Sequence, residues 1–209
     1  MRNLGCEKFT YLDLGAHHPW DISNTALFYE NGCRGVNIEA NPNLIRLFDK
    51  YRPEDTNANV GVGTKAGKMP FYMIDECSGR NSFLKAHVEA FVRENPQFQI
   101  TQVIDVPVMT PMGIIEEYCH GEWPDFVSID VEGLDYDILA AADFSNSAPL
   151  VIDVETDRDD VAPITALMKE RGYVPVFKCR GDMIFVRKED RYQAVLGEVW
   201  QSCRPKKEG

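Results

Sequence analysis

Two short apolar runs, one stopping at a glycine and the other at an acid, constrain this chain more than any other feature. Phe9-Thr-Tyr-Leu-Asp-Leu14 is rich in strand formers and ends at Gly15, and Gly35-Val-Asn-Ile38 is a second short strand that ends at Glu39. A buried strand, a glycine turn and a helix-forming stretch from about Ile22 are the opening of a nucleotide-binding α/β unit. The glycine lets a ligand approach the backbone, and free N–H groups near a helix start favour anionic groups. Glu39 follows Gly15 at close to the ~20-residue spacing at which a carboxylate grips a ribose diol.

The rest of the chain supports one α/β domain. It has 209 residues, of which 44% are hydrophobic, enough for a real core. Strand and helix signals alternate, which favours a largely parallel sheet covered on both faces. The net charge of -11, from 22 basic and 33 acidic side chains, argues against broad binding to nucleic acid or an anionic membrane. No run approaches the ~18 apolar residues of a membrane helix, and the start of the chain carries no apolar secretion segment. The six cysteines are scattered with no C-x-x-C pair. A zinc site or disulfide framework is therefore not expected, and reduced thiols fit a cytoplasmic protein. Nothing in the sequence fixes an oligomeric state.

Taken in order, the pattern predicts a strand over Phe9–Leu14 and a helix over about 22–31, with Ile22, Ala26 and Tyr29 on one face and Asp21 or Ser23 as its cap. A second strand, Gly35–Glu39, precedes a helix over about 43–51, and a third strand falls within 57–62. Residues 69–74 and 102–109 read as two further strands, paired with each other. The stretch between them, about 76–105, departs most from simple alternation and reads as an insertion shaping an acceptor site. A helix from Thr110 or Pro111 to about Cys119, a strand ending at Asp130, a helix with Leu134, Ile138 and Ala141, and a strand at 150–154 follow. A helix with Val161, Ile164 and Met168 then leads to a hairpin at 173–187, turned by Arg180-Gly-Asp. The tail from Glu189 reads as loose.

Three segments carry chemistry. Asp13-Leu-Gly-Ala-His17 lacks the second and third glycines of G-x-G-x-x-G, so a diphosphate has no close backbone cradle. A nicotinamide-dependent oxidoreductase is thereby disfavoured, and a ligand carrying an amino acid at this turn fits better. Asp13 suits its ammonium and the amides near Gly15–His17 its carboxylate. The expected ligand is S-adenosylmethionine, with Glu39 on the ribose. Asp130, at the carboxyl end of its strand, and Glu132 just beyond it stand where doubly wound sheets bind ligands. Either can deprotonate an acceptor hydroxyl, as can His17 or His18. Asp130, Glu132, Asp153 and Glu155 also form an oxygen-donor set that suits a divalent cation. Asn24 or Thr25 can face the cofactor. Plainer readings stay open beside these: a turn glycine, a surface acid, a helix cap, a hydrogen-bonded loop histidine, a domain that binds a cofactor without turnover.

These residues resemble the FkbM family of S-adenosylmethionine-dependent methyltransferases. The likeness rests on Asp-Leu-Gly-Ala-His-His-Pro (13–19), Ser-Asn-Thr (23–25), Arg-Gly-Val-Asn-Ile-Glu-Ala-Asn-Pro (34–42), Arg52-Pro53 and Ser-Ile-Asp-Val-Glu-Gly-Leu-Asp (128–135). It implies a single Rossmann-like class I methyltransferase domain over 1–209, with a mostly parallel seven-stranded sheet, a C-terminal antiparallel hairpin and helices on both faces. It also implies O-methylation of a hydroxyl on a sugar, glycan or natural product. By position, Asp13, Gly15, Ala16 and His17 would line the methionine end of the cofactor, Glu39 and Ala40 the ribose, and Asn59, Val60 and Gly61 the adenine. Asp130 would face the transferred methyl. The chain departs from the family pattern at His17, where Asn is common, and at Ala40, where Pro is common.

Overall fold

The computed structural model describes residues 8–156, 159–179 and 181–188. Its frame is built on β1 (Thr10–Leu14), in which Tyr11 to Leu14 are all buried, the signature of a strand covered on both faces. Alternation sends Leu12 and Leu14 to one side and Tyr11 and Asp13 to the other. β1 lies between two parallel neighbours, β2 (Arg34–Ile38) and β7 (Phe126–Ile129). Outward from these come β3 (Thr56–Ala58), β8 (Val151–Glu155), β10 (Asp182–Arg187) and β9 (Tyr173–Lys178), in the order β3-β2-β1-β7-β8-β10-β9. The first five strands of that order are parallel, and β10 runs antiparallel to both β8 and β9. This is the expected Rossmann-like sheet with its antiparallel hairpin; Arg180 of the turn and the tail from Glu189 lie outside the described residues.

Helices cover both faces. Ile114 and Ile115 of α4 (Pro111–Tyr118), Ile138 and Leu139 of α5 (Asp135–Ala141), and Ile164 and Met168 of α6 (Val161–Glu170) form one core with Leu12, Leu14, Val36 and Ile38. On the other face, Phe28 of α1 (Ala26–Glu30) packs with Tyr11 and Phe126. Two helix starts follow local rules closely. Asn41 caps α2 (Pro42–Tyr51) by accepting from the Asn43 amide at 3.0 Å, and Thr110 caps α4 by accepting from Gly113 at 3.1 Å, each with proline next in line.

Two expectations need correction. The helix over 22–31 shrinks to the five residues of α1, because Ile22 has φ 55° and is 93% exposed, incompatible with a helical apolar face. Neither Asp21 nor Ser23 caps it; Thr25 is the N-cap, and its hydroxyl is engaged elsewhere. The run 57–62 is split between two sheets. The Asn59 side-chain amide donates to the carbonyls of Glu39 and Ala40 at 2.8 and 3.0 Å, drawing the chain off the main ladder after Ala58. β4 (Gly61–Val62) then pairs in a second sheet, β4-β6-β5, with β6 (Gln102–Met109) and β5 (Gly67–Met73). The pairing of β5 with β6 is antiparallel, as the two apolar runs implied, and α3 (Lys85–Glu94) falls between them.

Candidate active site

A cavity of about 470 Å³ opens over the carboxyl ends of β1, β2 and β7, within the size range of small-molecule sites. Gly15 holds its floor. It has φ 82°, and a Cβ there would lie 1.7 Å from the carbonyl oxygen of Asp130, so the β1 and β7 ends can approach this closely only at a glycine. The amides of Gly15 and Ala16 both donate to the Ile38 carbonyl, at 2.9 and 3.0 Å. His17, at φ 53°, turns its amide onto Glu39 Oε2 at 2.8 Å, and the Asn41 amide donates to Oε1 at 2.7 Å. The amides of Gly15–His17, expected to hold a ligand carboxylate, are thus spent inside the protein. The first two tie the β1 end to β2, and that of His17 orients Glu39.

Glu39 is buried, and burial pushes its carboxyl up to about 7 against the pull of the two amides. Each oxygen keeps a second lone pair, so the carboxylate is oriented and still able to accept from a diol. Beside it the wall is apolar: Ile38, Leu44, Val60, Val62 and Phe71. Gly61 lets the ring of Phe83 lie close, since a Cβ there would meet it at 2.3 Å.

At the other end of the cavity stand Asp130, Glu132 and Glu155, with ligand-type oxygens within 4.8 Å of one another. Asp153, grouped with them from the sequence, lies apart and buried on β8. Burial raises Asp130, and Glu155, a hydrogen-bond partner, lowers it in turn. Burial and the neighbouring acids, Asp130 first among them, push Glu155 itself up to about 9. Asp130 Oδ1 is buried without a partner among the described residues. Asp135 Oδ1 and Oδ2 accept from the amides of Val131 and Gly133, at 2.9 and 3.1 Å, and pin the loop that carries Asp130. Glu132, at φ 52°, is held by Arg80 at 3.0 Å. That ion pair and the 3.1 Å contact from His17 Nε2 to the Cys77 carbonyl bring the segment 76–83 across the cavity.

Of the residues expected from sequence, Gly15, His17, Glu39, Ala40, Val60, Gly61, Asp130 and Glu132 line the cavity. Asp13, Ala16, Asn24, Asn59 and His18 stand behind it. Asp13 belongs to a polar row that crosses the sheet in register, Asn57, Asn37, Asp13, Ser128 and Asp153, buried at all but the half-buried Asn57. Its Oδ2 accepts from Thr25 at 2.7 Å, and Thr25 Oγ1 accepts from Arg52 Nη1 at 2.8 Å. Asn24 Nδ2 donates to Ser128 at 3.0 Å. His18 Nδ1 accepts from the amides of Trp20 and Asp21, at 3.2 and 3.0 Å. Sequence reasoning missed Ile22, Phe71, Arg80 and Asp182 on the lining. Asp182 arrives by pairing with Glu155 where β10 runs along β8, a register no local signal announces.

The raised acids give a pH signature. Burial holds Asp13 at about 6 and Glu39, Asp135 and Asp153 at about 7. The native state then binds more protons than the unfolded chain above the ordinary carboxylate value of ~4, so stability is full below that value and falls as pH rises through these raised pKa values. Calorimetry is expected to show a higher Tm at about pH 5 than at about pH 8. A Tm that rises across that interval would contradict the burial of these acids.

A mostly parallel sheet closed by an antiparallel hairpin, with a ligand-sized cavity between the acid that follows β2 and the acids at the ends of β7 and β8, is a Rossmann-like domain. Residues 13–175 match the profile of the Methyltransferase FkbM domain, and the chain belongs to that family. Among solved structures it is similar to Methyltransferase FkbM from Methylobacillus flagellatus KT, with 13% identity and a TM-score of 0.53 over 86% of this chain and 44% of that one. This chain thus spans less than half the length of that relative. A looser likeness, TM-score 0.40 and 14% identity over 90% of this chain and 84% of the other, is to Precorrin-6y C5,15-methyltransferase from Geobacter metallireducens GS-15. No curated protein matches in sequence. Among the described residues no helix is long and apolar enough to cross a membrane, and Cys33, Cys77, Cys119 and Cys179 are free thiols.

Proposed function

We propose that this chain transfers a methyl group from S-adenosylmethionine to a hydroxyl oxygen of a small-molecule or glycan acceptor. The observation that carries this reading is the pairing, across one cavity, of Glu39 held by two backbone amides and Asp130 with an unpartnered buried oxygen. Glu39 accepts from the ribose hydroxyls. Val60 and Gly61 flank the adenine beside the apolar wall, with Asn59 fixing their turn. Gly15 and His17 line the methionine end, with Asp13 and Ala16 supporting them from behind.

When bound, S-adenosylmethionine supplies a methyl made electrophilic by its sulfonium. The protein aligns the acceptor oxygen with that bond and takes its proton. Alignment of two reactants is worth roughly 7–11 kcal/mol of barrier, and a positioned base about 10²–10⁴-fold. Asp130 is the base, and its hydrogen bond with Glu155 opposes the rise that burial imposes on it. Glu132 is tied to Arg80 and His18 to two amides, so neither competes for that role. The 76–105 segment, crossing the cavity at Ser78–Phe83, shapes the acceptor end.

Calorimetry with S-adenosylhomocysteine tests the reading. Wild-type protein is expected to bind it and not NADH, and Glu39→Ala to weaken binding about 10- to 100-fold, the worth of a charge-assisted bond. Binding of NADH without S-adenosylhomocysteine would overturn it.

A further inference from the structure

Ile22 is the most anomalous residue of the described chain. It has φ 55°, a conformation that Gly or Asn adopts freely and a β-branched residue rarely does, and it is 93% exposed. An exposed isoleucine gains nothing from burial in the free protein, and a strained one destabilises it. Yet it is one of the residues that line the cavity.

The strain is held in place from both sides. Arg52, fully buried, donates to the Pro19 carbonyl and, at 2.8 Å, to the hydroxyl of Ser23. His18 Nδ1 accepts from the amides of Trp20 and Asp21. Asn24 is fastened to Ser128 on β7. Ile22 is therefore a fixed projection flanked by tethered residues on each side. Of the other apolar lining, Ile38, Leu44, Val62 and Phe71 belong to β2, α2 and the second sheet, and Val60, Phe83 and Val131 to segments between elements; the loop after β1 adds Ile22.

We infer that Ile22 is a binding residue for the methyl donor, closing an apolar contact over the nucleoside thioether from the rim of the β1 loop. This rests on the donor proposed above. The contact exists only with ligand bound, so free-protein stability and ligand affinity should respond in opposite directions. Ile22→Gly and Ile22→Asn relieve the left-handed backbone and remove the apolar side chain. Both are expected to leave Tm unchanged or raised and to weaken S-adenosylhomocysteine binding by about 3- to 10-fold, the worth of partly burying such a side chain. Ile22→Leu, which keeps an apolar side chain, is expected to bind within about twofold of wild type.

If wild-type protein binds no S-adenosylhomocysteine, the proposed donor itself fails. If wild type binds and Ile22→Gly and Ile22→Asn bind equally well, the donor stands and the role of Ile22 is wrong. Equal loss in the Gly, Asn and Leu variants would also overturn it, because the effect would then follow the backbone and not the apolar contact.

Discussion

Replacing Asp130 by asparagine is expected to cut methyl transfer by about 10²- to 10⁴-fold while leaving S-adenosylhomocysteine affinity within about threefold of wild type. Asparagine is nearly isosteric and keeps one acceptor oxygen, but its amide cannot take a proton from a hydroxyl. The fold should not notice the change. The contact that locks β1 to β7 runs from Gly15 to the Asp130 backbone carbonyl, not to its side chain, and the loop beyond is pinned by Asp135. Removing one of three crowded carboxyl groups also relieves repulsion, so Tm should hold or rise slightly. The measurement is transfer of labelled methyl from S-adenosylmethionine across a panel of sugar and phenolic hydroxyls, with calorimetry on the same preparations. Undiminished transfer by Asp130→Asn to any acceptor that wild type methylates would take Asp130 out of the base role. Lost transfer together with lost donor binding would instead make it a donor-site residue.

Arg52→Ala is expected to cost about 3–5 kcal/mol of unfolding free energy, the penalty for removing one partner from a buried charged network. Arg52 is fully buried at the end of α2, packed over the Phe48 ring at 5.1 Å. Its two terminal nitrogens bond Thr25, Ser23 and the Pro19 carbonyl, and through Thr25 they reach Asp13. Without it, Asp13 keeps its burial and loses the cation that favours its charge. The loop from Pro19 to Thr25 also loses its central anchor. Lysine should recover little, since a single ammonium cannot reproduce the planar fork that reaches three acceptors. Urea denaturation reads the result as a lowered midpoint at constant slope. A loss below about 1 kcal/mol, the scale of an exposed ion pair, would mean that the network contributes little to the fold.

Much of this was legible in the chain. The β1 run and its Gly15, the β2 run and its Glu39, and the β7 run ending at Asp130 are local patterns, each set by residues within a few positions of one another. Strand propensity, apolar alternation and the chemistry of a glycine turn act at that range, so the sheet class, the hairpin, the pairing of β5 with β6 and most of the cavity floor could be read. Thr110 and Pro111 likewise announced the start of α4.

What stayed hidden depends on partners distant in sequence. The short α1 and the exposed Ile22 follow from Arg52 reaching back to Pro19 and Ser23, a contact no window of sequence contains. The split of 57–62 follows from Asn59 bonding the β2 end. The pattern gave Asp13 to a ligand's ammonium; the register with Asn37 and Ser128 puts it in the polar row, off the cavity lining. The pattern grouped both Asp153 and Glu155 with Asp130, and only tertiary packing kept Glu155 in that group and left Asp153 out. Local chemistry chose the elements and the acids at their ends; long-range register and buried hydrogen bonds chose which of those acids meet.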